Sequence, residues 1–210
     1  MSKIQTRIII ALFAFIIALA SMVFVKQPAQ PLPAELIAVV RPKAVTLKEF
    51  SLTNQHNQSF TLEQLRNRQS LIFFGYTSCP DICPTTLSTL NILFKLLEKK
   101  QASENLQVVF ITVDPERDNI EKLNAYMNYF NEDFIAATGN KDEIDKVAKQ
   151  FNAAYFIEND NASENYLISH ASSIFLVNQE TKIIASFSPP HNPDILAEQY
   201  LKIREFFNFK

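Results

Sequence analysis

Residues 71–74, Leu-Ile-Phe-Phe, form an unbroken apolar run that leads within five residues to Cys79, and Cys83-Pro84 then opens a stretch of helical periodicity. Runs of this kind occur in strands covered on both faces. Leu87, Leu90, Leu93, Phe94 and Leu97 share one helical face, and Lys99 and Lys100 end the segment where cations suit the helix dipole. The chain is thereby committed to a buried strand that feeds a helix N-terminus. Its only two cysteines stand at the junction.

Residues 106–113 read as a second apolar strand, so strand, helix and strand form a parallel crossover unit. A strand is expected over 45–52, ahead of the turn 54–58 and a short segment at 61–65. Beyond the crossover the pattern predicts a helix over 120–130, a strand over 134–138, a helix over 141–151 and a strand over 153–157. Residues 168–177 and 183–187 read as a hairpin, and a last helix over 194–207 opens with Asn192 as cap and Pro193 in its first turn. The class is α/β. With 134–157 set aside as an inserted β-α-β segment, the order β-α-β-α-β-β-α is that of a thioredoxin-like fold.

A thiol at a helix N-terminus lies near partial positive charge and unpaired N–H groups, which favours the thiolate. Pro84 suits the first turn of a helix that begins at or just before Cys83. Three residues separate the cysteines, one more than in Cys-x-x-Cys, a spacing that permits a disulfide and also lets two sulfurs flank one metal ion. Redox and metal chemistry both remain open, beside the plain alternatives of inert thiols or a structural disulfide. Two thiolates with one imidazole make a soft set that selects Cu(I), whereas structural zinc asks for four ligands. Of the three histidines, His56 and His191 lie in polar or proline-rich loops and read as solvated. His170, just before residues 173–177, faces the helix start in a thioredoxin-like frame, so it is either a satisfied strand-end histidine or a third donor. Two glycines in the whole chain exclude Gly-rich phosphate loops.

Residues 8–25 carry no charge and reach the length of a membrane-spanning helix, preceded by Lys3 and Arg7. The run outlasts the small-residue site at 18–20, which favours a retained anchor over a cleaved signal peptide. The expected organisation is a cytoplasmic N-terminus with a transmembrane helix over 1–26, a proline-rich linker over 27–44 and an exported domain over 45–210. Residues 27–210 hold 22 acids against 17 bases, with no basic run longer than two, so nucleic acid is not an expected partner.

The segment Gly75-Tyr-Thr-Ser-Cys-Pro-Asp-Ile-Cys-Pro84 resembles the Sco (SenC) family, and the likeness continues at Val113-Asp-Pro-Glu-Arg-Asp118, Thr138-Gly139 and Tyr166-Leu-Ile-Ser-His170. The resemblance covers residues 45–210. It implies a membrane-anchored copper metallochaperone of thioredoxin-like fold that binds one copper, Cu(I) or alternatively Cu(II), through Cys79, Cys83 and His170. The implied partners are the copper-bearing subunit of cytochrome c oxidase, a thiol reductant, a copper donor and the inner membrane, with the domain on the periplasmic side. Ser169 departs from the acidic residue that many members carry before the histidine. Asp81 and Asp114 also match family positions, and the residues themselves favour structural roles: a helix cap for Asp81 and the turn into Pro115 for Asp114. The alternative function is a thiol:disulfide oxidoreductase that uses Cys79 and Cys83 as a redox pair. A peroxidase ranks third, since no activating arginine is evident near the motif.

Overall fold

The computed structural model describes residues 4, 5, 7, 12, 13, 15, 31–158 and 166–209. The apolar run 8–25 lies for the most part outside the described residues, and among the described residues no helix is long and apolar enough to cross a membrane. The chain forms two compact units, Met1–Leu32 and Pro33–Lys210, and every described strand belongs to the second.

The described strands and helices are β1 (Val40–Thr46), β2 (Ser51–Asn54), β3 (Ser59–Thr61), β4 (Gln69–Gly75), α1 (Ile82–Lys99), β5 (Leu106–Thr112), α2 (Ile120–Phe130), β6 (Ile135–Thr138), α3 (Lys141–Phe151), β7 (Tyr155–Glu158), β8 (Leu167–His170), β9 (Ile174–Val177), β10 (Lys182–Phe187) and α4 (Pro193–Phe206). Eight strands form one sheet in the order β1-β10-β9-β4-β5-β6-β2-β3, while β7 and β8 pair only with each other. All seven residues of β4 and all seven of β5 are buried, as the unbroken apolar runs required. Each large side chain so buried contributes roughly 1.5–3 kcal/mol.

Within that sheet β4 runs parallel to β5 and antiparallel to β9, and β9 is antiparallel to β10. With α1 crossing from β4 to β5 and α4 closing the chain, these strands build the thioredoxin-like core. Alternation along β4 divides its side chains between two faces. Gln69, Phe73 and Gly75 face α1, α2 and α4: the Tyr200 hydroxyl donates to Gln69 at 2.5 Å, and Phe110, beside Phe73, meets Tyr126. Phe74, on the other face, meets Phe151 of α3 and Phe175 of β9 edge-on.

Three elements differ from their sequence expectation. The strand expected over 45–52 is two strands, and the first begins at Val40, inside the proline-bearing stretch; a 3-10 turn at Ala34–Leu36 precedes it, with Leu36 fully buried. The segment set aside as an insertion is split: β6 lies parallel to β5 in the main sheet, and β7 leaves that sheet to pair with β8. The strand expected over 168–177 is therefore also two, β8 in the ribbon and β9 in the sheet. The turns were hard to read because asparagine does the work of glycine. Asn57, Asn67, Asn105, Asn152 and Asn208 all adopt positive φ, between 52° and 62°, a conformation asparagine tolerates better than most residues.

Candidate metal centre

Cys83 is the second residue of α1 and fully buried, its sulfur lying over Gly75 at the end of β4. A Cβ at position 75 would stand 2.6 Å from that sulfur and 2.8 Å from the Phe110 ring, so only glycine fits. Pro84 occupies the third position of α1, where its missing N–H leaves no helical bond unmade. Cys79 is half-buried in the loop before the helix, its N–H donating to the Tyr76 carbonyl at 3.2 Å. Asp81 stands at the N-cap, but its carboxylate makes no cap bond and accepts from the Thr85 hydroxyl at 3.4 Å; the capping role expected of its side chain is corrected.

His170 ends β8 and enters from the ribbon. Its ring meets Phe73 and Tyr76 edge-on, with centroids 6.0 and 5.9 Å away. Nδ1 lies 3.2 Å from the Ala171 carbonyl and Nε2 lies 3.4 Å from Cys83 Sγ. A carbonyl only accepts, so Nδ1 carries a proton, and Nε2 is the ring nitrogen that faces the sulfurs. The donor atoms of Cys79, Cys83 and His170 all lie within 4.8 Å of one another. Two sulfurs that each bind one ion at roughly 2.3 Å are at most about 4.6 Å apart, so the cluster has the size of a three-donor site for a single soft ion. A cleft of about 250 Å³, lined by Tyr76, Cys79, Glu158, Ser169 and His170 among others, opens it to solvent.

The two thiols are strongly unlike. Donation from Cys83 leads in lowering Cys79 to about 3; burial opposes it, and His170 with the N–H groups of Cys83 and Asp81 adds to it. Cys83 moves the other way, pushed up by its bond to Cys79, by burial and by the charge on Cys79. The free pair thus holds one proton, on the buried sulfur, and exposes a thiolate on the accessible one.

Two buried carboxylates brace this arrangement. Asp118, fully buried, accepts from the Thr77 N–H at 2.9 Å and hydroxyl at 2.5 Å and from the Thr112 hydroxyl at 2.6 Å, with Lys122 at 3.5 Å; it fixes the start of the cysteine loop to β5. Asp114 accepts from Arg117 Nε at 2.5 Å and from the Tyr166 hydroxyl at 2.6 Å, so its expected turn role extends to the segment before β8. Burial and then Asp114 push the Tyr166 hydroxyl up to about 12, which keeps it a donor. The Arg117 guanidinium lies 3.5 Å over the Tyr166 ring and 5.7 Å over that of Tyr76. An arginine therefore does stand beside the motif, contrary to expectation, with Nε and Nη1 committed to Asp114 and the Tyr166 carbonyl.

Cys79, Cys83 and His170, named from the sequence, lie together in the structure, while Thr77, Thr112, Arg117, Asp118 and Tyr166 had been given no role at the site. The available signal was three acids and an arginine crowded directly behind a buried strand, at 114–118. His56 is exposed on the β2–β3 turn, away from the cluster. His191, expected to be solvated, is half-buried, and its Nε2 donates to the Ser172 carbonyl at 2.8 Å.

Residues 39–205 match the family model for SCO1/SenC. An SCO2-like protein of Rickettsia prowazekii is 34% identical over 181 residues, spanning 86% of this chain and 87% of its own. Among solved structures, Arabidopsis thaliana ScoI with copper bound superposes with a TM-score of 0.69 at 30% identity, over 75% of this chain and 98% of that one. Yeast Sco1 with copper bound gives 0.71 at 27% identity, over 79% and 90%. A match across nearly all of the folded unit, joined to a donor cluster at the head of the first long helix, means that this chain belongs to the SCO1/SenC family.

Proposed function

We propose that the chain is a copper metallochaperone in which Cys79 and Cys83 as thiolates and His170 as neutral imidazole hold one copper as cargo. The observation that carries this reading is the convergence of two sulfurs and one imidazole nitrogen within 4.8 Å, a set whose softness favours Cu(I). Binding Cu(I) requires one proton to leave, the one on Cys83, because Cys79 is already ionised. Handover by ligand exchange begins at Cys79 and His170, the two donors solvent reaches, while buried Cys83 lets go last. The recipient is the dinuclear copper site of a cytochrome c oxidase subunit, reached from a domain tethered through residues 8–25 on the periplasmic side of the inner membrane. The charge-free length of that run and the flanking Lys3 and Arg7 support the tether. An external thiol reductant keeps the pair reduced for loading from a copper donor.

A second reading, thiol:disulfide exchange on exported thiols, including the oxidase's own, is favoured by one observation: a half-exposed thiolate stands next to a buried, protonated partner. The test is anaerobic Cu(I) titration of the full chain in detergent, with X-ray absorption on the loaded protein, for wild type and His170→Ala. One copper with two sulfur neighbours and one nitrogen, the nitrogen lost in the variant, is the expected result. Weak, nonstoichiometric copper in fully reduced wild type overturns the chaperone reading and makes dithiol exchange, which needs no histidine, the primary one.

A further inference from the structure

His170 is carried by a ribbon that, among the described strands, shares no pairing with the main sheet. Where β8 begins, the polar contacts converge on one residue: the Tyr166 hydroxyl donates to Asp114 at 2.6 Å, its carbonyl accepts from Arg117 Nη1 at 3.0 Å, and its ring carries the Arg117 guanidinium at 3.5 Å. Asp114 is 2% exposed and also holds Arg117 Nε at 2.5 Å, so the three side chains close a ring. Four residues on, at a rise of about 3.3 Å each, stands His170. A second tether, the Ile168 N–H donating to the Tyr76 hydroxyl at 3.2 Å, lies between them. The clasp ties Tyr166 to Asp114 and Arg117, and so fixes the strand that presents the imidazole.

We infer that the Tyr166–Asp114–Arg117 clasp is a positioning device for His170, which sets whether the copper site is completed by its nitrogen or left with two sulfurs. The inference rests on the three-donor reading. With the clasp closed, Nε2 faces the cysteines at the distance seen here. With it open, the strand end shifts while Cys83 on α1, and Cys79 in the loop that joins β4 to α1, stay in place. Partners of metal-ligating groups typically change affinity by about 10- to 100-fold when altered, and a clasp acting through His170 belongs in that range.

Tyr166→Phe deletes one hydroxyl and keeps the ring under Arg117; Asp114→Asn weakens the same bond from the other side and keeps the shape. Each is to be made in the full chain, alone and on a His170→Ala background, and read by Cu(I) competition, X-ray absorption and thermal melting. The expected result is a roughly 10- to 100-fold weaker Cu(I) affinity for Tyr166→Phe, with the nitrogen neighbour depleted and both sulfurs retained. Asp114→Asn gives a smaller loss of the same kind, and neither adds to His170→Ala. A wild-type nitrogen count and affinity in Tyr166→Phe overturns the inference. So does an equal loss of affinity on the His170→Ala background, which marks a general loosening of the fold. Wild type without the nitrogen overturns the three-donor reading itself, a separate outcome.

Discussion

The thiol side and the imidazole side of the cluster are built from different materials. Cys83 rests at the head of an 18-residue helix against a strand with every residue buried. His170 ends a strand of four residues whose one neighbour is another strand of four, with Phe156, Ile157 and Leu167 exposed between them. Cys83 is placed by close packing, which tolerates little displacement, and Cys79 by the short loop that leads into its helix; the imidazole is placed by a few polar contacts, which can be made and broken singly. A carrier that must hold a soft ion and then give it up gains from this division, because the buried sulfur stays registered while the donors nearer solvent come and go.

The sharpest way to break the comparison is to disturb the packed side. In Gly75→Ala the new methyl group meets Cys83 Sγ at 2.6 Å and the Phe110 ring at 2.8 Å, both fully buried. Overpacking of this kind costs about 1–3 kcal/mol, and relief requires the sulfur to move. The expected outcome is a lower urea midpoint together with loss of tight, stoichiometric Cu(I). A variant with wild-type stability and both sulfurs bound to copper means that the thiol side has slack and the contrast with the ribbon is false.

A smaller effect is expected at Asp118, where charge matters more than volume. Asp118→Asn keeps the size but turns an amide donor toward a pocket in which Thr77 and Thr112 already donate. Hydrogen bonds to a charged acceptor are worth about 1.5–3 kcal/mol each, so a loss near 2 kcal/mol is reasonable after partial rearrangement. Urea denaturation measures it, and faster amide exchange at Thr77, with Ile168 unchanged, localises it to the cysteine loop. Equal acceleration at both amides merges the two regions into one cooperative unit.

The same division explains what was legible in the sequence. Residues 71–74 and 108–111 are read at once, because the middle of a strand buried on both faces has no polar positions to blur the pattern, and Cys83-Pro84 marks the helix start by its own chemistry. β7 and β8 are half-exposed and short, so nothing in their residues says that they leave the sheet. The three donors were named, Cys79 and Cys83 from their place in the chain and His170 from fold and resemblance. What holds His170 was not, because Asp114 and Tyr166 lie 52 residues apart and their bond has no local signature. Gly-poor turns hid further boundaries, Asn152 ending α3 in the left-handed conformation that glycine usually supplies.

The smallest effect predicted is an absence of change, and it tests whether the packed side is itself divided. Cys79 is lowered to about 3, first by donation from Cys83, so it is ionised throughout the neutral range and protonates only as the pH falls through that value. Cys83 is raised and fully buried. Iodoacetamide attacks thiolates, so the native reduced protein should take one adduct, on Cys79, at a rate nearly flat from about pH 5 to pH 8. An ordinary thiol with a value near 8.5 instead speeds up about tenfold per pH unit over that window. Flat kinetics with a single adduct place the charge on the loop sulfur and leave Cys83 as the protonated anchor. A tenfold rise per unit, or adducts on both cysteines before unfolding, shows two equivalent thiols, and then the order of release, Cys83 last, loses its basis.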